Sequence, residues 1–334
     1  MNNGWGVFGS ALALWLAAGG VVAQGLVVDT AYVEKALRDG ALVWDARDGD
    51  DYLQGHIPGA VNIGDVGVVF RDTNREDPPS AAAAAKIFGG AGMDIRGKEV
   101  IVYTRKGDAF AYYGARMVEY YGGEHAKVYH GAIDDWKAAG KPVEKATVKL
   151  APITLALVEG KGALGNKELI DRVRTGSAQI VDTRTPKEYS GEDIRAIRGG
   201  HVPGAVSIPY EQNWQDPSAA SKLAEKKVSN RDGMALKSED ELKKLYAKLD
   251  PSKETVVYCQ SGVRASETAA VLRNLGFKDV KVHEPSWLGY AGVLAAPAED
   301  EVFVNVGLLN QRIGSLQNRV KELEGEVAKL KPAK

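Results

Sequence analysis

Short apolar runs alternate with stretches of helical periodicity through most of the chain, and this order occurs twice. The predicted elements are, in chain order, a helix at 32–37, a strand at 41–45, a strand at 99–103, a helix at 109–120, a helix at 167–173, a strand at 178–182, a strand at 255–258 and a helix at 266–273. Strands that alternate with helices predict parallel sheets covered on both faces. We therefore expect the α/β class, with a ligand site at the carboxyl ends of the strands.

A repeated segment indicates that the two halves are copies of one domain. The sequence GHIPGAVNI begins at Gly55, and GHVPGAVSI begins at Gly200. The apolar run that ends at Cys259 likewise matches the run that ends at Thr104. Self-similarity at this spacing indicates duplication. The predicted segments are a first domain at 24–144, a linker at 145–165, a second domain at 166–297 and a C-terminal helix at 298–334.

The C-terminal segment has apolar residues at alternating steps of three and four. They are Val306, Leu309, Ile313, Leu316, Val320, Leu323, Val327 and Leu330. Because β-branched residues at a and leucine at d favour a parallel two-stranded coiled coil, we expect a homodimer through 306–330. Arg319 would face the partner's Glu324, and Glu326 would face the partner's Lys331, both with opposite charge. A helix folded back onto its own domain is the alternative.

The first 28 residues contain no Lys, Arg, Asp or Glu, and an apolar core at 8–18 is followed by glycines and small residues. Val21 and Ala23 fit the small-residue pattern of a cleavage site. We therefore predict a signal peptide at 1–23 and a periplasmic or secreted protein. Two alternatives stay open. An uncleaved membrane anchor is one, since the uncharged stretch is long enough to span a bilayer, and a buried N-terminal helix is the other.

The composition narrows the class of partner and of site. The 334 residues contain 43 Lys and Arg against 44 Asp and Glu, a formal net charge of -1. This balance argues against binding nucleic acid or anionic membranes through bulk charge. One cysteine excludes an intramolecular disulfide, and the five scattered histidines lack the spacing of zinc ligands. We predict no metal and no cofactor.

The single cysteine, Cys259, follows an apolar β-branched run and begins a tight loop that ends at Arg264. A cysteine at a strand's carboxyl end, beneath backbone N–H groups and facing a helix N-terminus, lies in an anion site. Those donors and Arg264 favour the thiolate, the reactive form in nucleophilic sulfur chemistry. Gly262 can adopt the positive φ that such a loop requires. The alternative is that Cys259 is a small buried apolar residue.

Three motifs together resemble the rhodanese family of sulfurtransferases, in its two-domain form with an inactive first copy. They are Asp182-x-Arg184, the GHVPGA segment at 200–205 and Cys-x-x-Gly-x-Arg at 259–264, within a resemblance that covers about residues 30–295. The resemblance implies two tandem rhodanese-like domains, each a parallel five-stranded sheet flanked by helices. It also implies that the Cys259 thiolate takes the outer sulfur of a donor, holds it as a persulfide and passes it to cyanide or a thiol.

The resemblance assigns roles to the residues around the cysteine. Backbone N–H groups of the loop would hold the terminal sulfur. These substrate-binding residues are Gln260, Ser261, Gly262, Val263, Arg264 and Ala265. Arg264 would also orient the loop and attract an anionic donor. We interpret Asp182 and Arg184 as structural support, with the arginine paired to a carboxylate beside the site, and His201 as a hydrogen-bonded residue of a turn.

The first domain lacks the nucleophile. Thr104 occupies the position that matches Cys259, and Asp108 and Phe110 stand where the loop requires small or basic residues. A threonine without an activating base cannot carry a persulfide. We therefore expect the first domain to be a scaffold that shapes the cleft between the domains.

The length and charge of the loop bear on the substrate. Four residues separate Cys259 from Arg264, fewer than in the related phosphatase-type loops, so the loop suits a single sulfur atom better than a phosphate or an arsenate. The neutral pair Gln260-Ser261 beside a basic residue favours thiosulfate or a polysulfide as donor, with 3-mercaptopyruvate as the alternative. A hypothesis of another class is a non-catalytic sulfur or selenium carrier, or an envelope scaffold assembled through the coiled coil.

Overall fold

Two parallel sheets lie at the centres of two successive domains in residues 25–330, the part of the chain that the computed structural model describes. The elements of the first domain are β1 (Val27–Val28), α1 (Thr30–Arg38), β2 (Leu42–Asp45), α2 (Gly49–Gln54), β3 (Val61–Asn62), α3 (Val66–Val69), α4 (Ala81–Gly90), β4 (Val100–Tyr103), α5 (Phe110–Tyr120), β5 (Ala126–Tyr129) and α6 (Ala132–Ala138). The strand order in its sheet is β1-β5-β4-β2-β3, and every pairing is parallel.

The second domain repeats this sheet strand for strand. Its elements are β6 (Ala163–Leu164), α7 (Asn166–Thr175), β7 (Gln179–Asp182), α8 (Pro186–Tyr189), β8 (Arg198–His201), β9 (Val206–Ser207), α9 (Ala219–Ala224), α10 (Glu239–Leu245), β10 (Thr255–Tyr258), α11 (Val263–Asn274), β11 (Val280–His283) and α12 (Ser286–Ala291). The strand order is β6-β11-β10-β7-β9, again parallel throughout. The predicted α/β class, with two five-stranded parallel sheets in tandem, is confirmed.

Each sheet carries an apolar core on both of its faces, because helices cover both sides. Along β4, Val100 and Val102 belong to one core cluster, whereas Ile101 and Tyr103 belong to another. The second domain follows the same alternation, with Val257 and Cys259 in one cluster and Val256 and Tyr258 in another. All four residues of β4 and of β10 are buried. Burial on both faces explains why these strands appear in the sequence as continuous apolar runs.

The segment 145–165, predicted as a linker, packs along the first domain instead of crossing open solvent. Four of its apolar side chains contact the first-domain core: Val148, Leu150, Leu155 and Leu157. The Ile153 N–H also donates to the Gly89 carbonyl at 2.9 Å. The last residues of the segment form β6, which pairs with β11 and so belongs to the second sheet. The segment therefore contributes to both domains.

The helix that follows the cysteine loop starts earlier than predicted. Helix α11 begins at Val263, three residues before the predicted start at Ser266. Glu267 consequently lies beyond the first turn of the helix. Its carboxyl group is fully buried and accepts a hydrogen bond from Trp214 Nε1 at 2.9 Å. Burial raises the pKa of Glu267 well above its usual value.

Two elements follow α12 in the chain, β12 (Glu299–Phe303) and α13 (Val306–Leu330). Strand β12 pairs antiparallel with β8, so the start of the predicted C-terminal segment belongs to the second domain. In α13 no residue from 306 to 329 is buried, so this part of the helix does not fold back onto its own domain. Pairing of the apolar seam with a second chain stays a prediction.

No helix in the range 25–330 is both long and apolar enough to cross a membrane. The predicted signal peptide at 1–23 lies outside the described residues, and it stays a prediction together with its alternatives.

Candidate active site

Cys259 directly follows β10 at the carboxyl end of the second sheet, and its side chain is 1% exposed. The first turn of α12 holds the loop that begins at Cys259. The Trp287 N–H donates to the Cys259 carbonyl, and the Leu288 N–H donates to the Gln260 carbonyl, both at 2.9 Å. The Cys259 N–H in turn donates to Ser286 Oγ at 3.3 Å. These bonds leave the loop's own amides from Gln260 onward unengaged.

The loop carries a row of backbone donors without acceptors. Within residues 25–330, no hydrogen bond engages the backbone N–H groups of 260–265. Gly262 lies in the left-handed region at φ 85°, as expected, and caps the N-terminus of α11. Its carbonyl accepts the Ser266 hydroxyl at 2.7 Å, which fixes the turn into the helix. Free N–H groups at a left-handed turn and a helix start form a concavity for an anion.

Arg264 pairs with a buried carboxylate that the sequence analysis missed. Its two Nη atoms donate to Glu188 at 2.7 and 2.8 Å, and Glu188 is 1% exposed. Burial opposes ionisation of Glu188. The hydrogen bond and charge of Arg264, together with donors from Thr185, outweigh burial and lower the pKa of Glu188 to about 2. Arg264 therefore joins the end of the loop to Glu188. Its charge is paired with that carboxylate, and the attraction of an anionic donor by Arg264 stays a prediction.

Asp182 and Arg184 form a brace below the loop, as the sequence analysis interpreted them. The Arg184 guanidinium donates to Asp182 and to the Gly200 carbonyl, at 2.6 and 2.7 Å respectively. The hydroxyl of Tyr258 donates to Asp182 at 2.6 Å, and the guanidinium lies 4.7 Å from the Trp287 ring centre. The carboxylate that pairs with Arg184 is thus Asp182 itself, not a separate acid beside the site as predicted.

The first domain repeats the brace without the nucleophile. Arg47 donates to Asp45 and to the Gly55 carbonyl, and the hydroxyl of Tyr103 donates to Asp45 at 2.7 Å. The same contacts occur beside Thr104, where no cysteine is present, which agrees with a structural role for the brace.

His201 is held within its turn, as the sequence analysis interpreted it. Its ring stacks on Tyr189 with centroids 3.6 Å apart, and Nδ1 lies 2.9 Å from the Tyr189 carbonyl. Nε2 lies 3.0 Å from the Glu299 carboxylate on β12. Both ring nitrogens are therefore engaged away from Cys259.

The first domain contributes two arginines to the cysteine loop, and sequence reasoning found neither. Arg71 donates from Nη2 to Ser261 Oγ at 2.6 Å across 190 residues. Arg116 donates from Nε to Ser266 Oγ at 2.9 Å and forms an ion pair with Glu284. Nothing local in the sequence distinguishes these arginines from others, because their positions follow from the docking of the two domains.

The loop that contains Thr104 differs from the cysteine loop, because some of its backbone N–H groups are engaged within the protein. The Lys106 N–H donates to Asp134 at 2.8 Å, so one of its backbone donors is already engaged. Asp108 is largely buried, and burial raises the pKa of its carboxyl. The Phe110 ring lies beside the Arg71 guanidinium, with 5.8 Å between the guanidinium carbon and the ring centre. These contacts agree with a first domain that shapes the cleft.

A cavity of about 280 Å³ lies between the domains beside the loop. Its lining includes Asp108, Phe110, Tyr210, Trp214, Val263 and Arg264. Aromatic and apolar groups from both domains therefore form a cleft beside the loop that begins at Cys259.

Comparisons with known proteins agree with this geometry. The rhodanese-like domain family matches residues 29–139 and 165–292. A relative from Mycolicibacterium smegmatis is 30% identical over 289 residues, which are 82% of this chain and 97% of its own length. The thiosulfate sulfurtransferase of Corynebacterium glutamicum is 30% identical over 261 residues, which cover 74% of this chain and 81% of the relative.

Solved structures show the same fold. The wild-type structure of EanB superimposes with a TM-score of 0.69 at 21% identity, over 82% of this chain and 69% of that one. The anaerobic ergothioneine biosynthesis enzyme from Chlorobium limicola superimposes with a TM-score of 0.70, also at 21% identity, over 82% of this chain and 70% of that one. With both domains matched, the chain belongs to the rhodanese-like domain family and is a sulfurtransferase.

Proposed function

We propose that the protein transfers a sulfane sulfur from thiosulfate, or from a polysulfide, to a thiophilic acceptor through a persulfide on Cys259. The observation that carries the proposal is the row of unengaged N–H groups at 260–265, directly after the nucleophile. Such donors stabilise a sulfur anion in the same way that an oxyanion hole stabilises an oxygen anion. The attacking species in this chemistry is the thiolate of Cys259.

The first half-reaction loads the cysteine. The Cys259 thiolate attacks the outer sulfur of thiosulfate and forms a new S–S bond. The bond between the two sulfur atoms of the donor breaks, and its electron pair leaves with sulfite. Cys259 then carries a persulfide whose terminal sulfur holds the negative charge, and the free N–H groups of the loop bind that charge.

The second half-reaction discharges the persulfide. Cyanide attacks the terminal sulfur and forms thiocyanate, and the electron pair of the persulfide bond returns to Cys259 as thiolate. A thiolate acceptor reacts in the same manner and leaves as its own persulfide. Neither half-reaction requires a proton at Cys259, which is consistent with the engagement of His201 elsewhere.

Support for thiosulfate as the donor comes from a named relative. The relative from Corynebacterium glutamicum is named as a thiosulfate sulfurtransferase. The loop side chains Gln260 and Ser261 are uncharged, which keeps 3-mercaptopyruvate as the alternative donor. The alternative that is not an enzyme is a non-catalytic sulfur or selenium carrier, or an envelope scaffold.

The helix α13 supports a second proposal, a parallel homodimer through residues 306–330. Its seam is exposed, with Leu309 at 47% and Leu316 at 66% exposed. The charge pattern fits a second copy, because Arg319 at g would meet the partner's Glu324 at e. A paired seam would remove these leucines from water in both chains.

We also propose export through cleavage after Ala23, on the basis of the uncharged residues 1–28. Cell fractionation and N-terminal sequencing test this proposal. Mature protein that begins at Gln24 in the periplasm or medium is expected. Protein that keeps residue 1 in the membrane fraction supports the anchored alternative, and full-length protein in the cytosol contradicts export.

The test of the sulfurtransferase proposal is thiocyanate formation from thiosulfate and cyanide by wild type and Cys259→Ala. We expect activity in the wild type and none in the variant. Thr104→Ala is the matched control, since it changes the equivalent position of the first domain and should keep its activity. A wild type that is inert with thiosulfate, polysulfide and 3-mercaptopyruvate contradicts the proposal and favours the carrier or scaffold.

A further inference from the structure

Three guanidinium groups bring positive charge to the nucleophile, and two of them come from the domain without a cysteine. Arg264 belongs to the loop, whereas Arg71 and Arg116 belong to the first domain. Each of the three interacts electrostatically with Cys259. The first domain therefore contributes charge at the site as well as shape.

Two of these guanidinium groups are each paired with both oxygens of a carboxylate. Arg264 forms two hydrogen bonds with the buried carboxylate of Glu188. Arg116 contacts both carboxylate oxygens of Glu284 and donates from Nε to Ser266. A guanidinium paired in this way has little net charge left for a substrate.

Arg71 differs from both. Its Nη2 donates to Ser261 Oγ at 2.6 Å, on the loop that follows Cys259. Its Nε is buried and has no hydrogen-bond partner in the described part of the chain. The rings of Phe110 and Tyr113 hold the guanidinium carbon at 5.8 and 6.0 Å from their centres. Arg71 is thus positioned rigidly beside the loop with a donor to spare.

The carboxylate that faces Arg71 belongs to an exposed turn. Glu76 forms an ion pair with Arg71, and the Glu76 side chain is 39% exposed. Its backbone is in the left-handed region at φ 59°, which is unfavourable for a residue other than glycine. By comparison, Glu188 and Glu284 are 1% and 12% exposed at their arginines. An anion that reaches Arg71 can therefore displace Glu76 more easily than it could displace either of the other two carboxylates.

We propose that Arg71 of the first domain binds the anionic leaving group of the donor, the sulfonate end of thiosulfate, and so determines donor preference. The inference rests on the proposed function. A guanidinium presents parallel N–H donors that match two oxygens of an oxyanion. When the donor's S–S bond breaks and sulfite takes the electron pair, Arg71 stabilises the charge that develops on it. The domain that lost its nucleophile then keeps a direct part in the reaction.

The test compares Arg71→Gln and Arg71→Lys with the control Arg75→Gln, an arginine of the same turn that is 78% exposed. We expect Arg71→Gln to raise the KM for thiosulfate by about tenfold or more, because a charge-assisted contact is lost. Arg71→Lys should give an intermediate KM, since a point charge remains. Glu76→Gln should lower the KM, because it removes the competing carboxylate.

A second readout separates donor binding from a general effect on the loop. Each variant is loaded with saturating thiosulfate, and the persulfide is then discharged with the neutral thiol 2-mercaptoethanol. We expect Arg71→Gln to slow loading much more than discharge, since no sulfonate takes part in the second step. A KM equal to that of Arg75→Gln, or a discharge rate that falls in parallel with loading, would overturn the inference. Thermal melting identifies any variant that fails to fold. If Arg71→Gln fails to fold, the KM values of Arg71→Lys and Glu76→Gln test the inference in its place.

A binding measurement distinguishes failure of this inference from failure of the proposed function. Calorimetry compares thiosulfate binding to Cys259→Ala with binding to the double variant that also carries Arg71→Gln. We expect the double variant to bind at least about tenfold more weakly. Equal affinities, or no binding to either protein, would overturn the role of Arg71. A wild type without turnover whose Cys259→Ala form still shows the affinity loss would overturn only the proposed reaction.

Discussion

Arg264 and Glu188 form a bidentate ion pair, with N–O distances of 2.7 and 2.8 Å, at the place where the cysteine loop enters α11. Glu188 is itself fixed by a capping box, because it accepts hydrogen bonds from the N–H and the hydroxyl of Thr185. The pair therefore ties the end of the catalytic loop to the start of α8. Loss of this ion pair should disturb the geometry of the loop more than that of the sheet.

The first prediction concerns removal of this carboxylate. Glu188→Ala leaves Arg264 without its partner, and we expect the free energy of unfolding to fall by about 3 kcal/mol. Turnover should fall by about tenfold or more, since the loop donors lose their alignment. Urea unfolding and the thiocyanate assay measure the two effects. Glu192→Ala, at an exposed position nearby, is the control, and equal behaviour of the two variants would contradict the account.

The second prediction concerns pH. Arg264 and Thr185 lower the pKa of Glu188 from 4.5 to about 2, despite burial. Because the folded-state pKa lies below the unfolded one, the pair stabilises the fold fully above about pH 4.5 and loses this effect as the pH falls towards about 2. We expect the difference in melting temperature between wild type and Glu188→Gln to shrink over that interval. A difference that stays constant would show that Glu188 does not titrate in this way.

The third prediction separates backbone strain from the function of the loop. Gly262 and Gly276 have similar left-handed backbones, at φ 85° and 89°. A Cβ at Gly262 would lie 3.2 Å from Arg116 Nη2, whereas a Cβ at Gly276 meets nothing within 4 Å. We expect both alanine variants to lose about 1 kcal/mol of stability, and only Gly262→Ala to lose most of its turnover. Comparable turnover in the two variants would contradict a special role for this turn.

The fourth prediction concerns the C-terminal helix. We expect the wild type to be a dimer by light scattering and Leu316→Glu to be a monomer, since the charge enters the centre of the apolar seam. Asn318→Glu places the same charge on the outer face of the helix and should remain dimeric. A monomeric wild type, or a dimeric Leu316→Glu, would contradict the coiled coil.

The sequence allowed prediction of the features that depend on neighbours in the chain. The repeated GHIPGAVNI and GHVPGAVSI segments predicted two like domains, and both sheets have the same strand order. The position of Cys259 after an apolar run, with Gly262 in the loop, predicted a strand end followed by a left-handed turn. These signals are local, since strand periodicity and glycine conformations act within a few residues.

Features that depend on distant contacts escaped prediction. Arg71 and Ser261 are 190 residues apart, and only the docking of the domains joins them. For Glu188 a local signal did exist, because Thr185 and Glu188 have the spacing of a capping box. That signal identifies the start of a helix but does not identify Arg264 as the partner.

The most direct test of the central claim is the mass of the protein after reaction with thiosulfate alone. Excess donor is removed, the protein is weighed intact, and the modified peptide is identified after alkylation. We predict the added mass of one sulfur atom on the peptide that contains Cys259, its release as thiocyanate when cyanide is added, and no added mass in Cys259→Ala. A wild type that forms thiocyanate while Cys259 never carries the extra sulfur would contradict the persulfide mechanism.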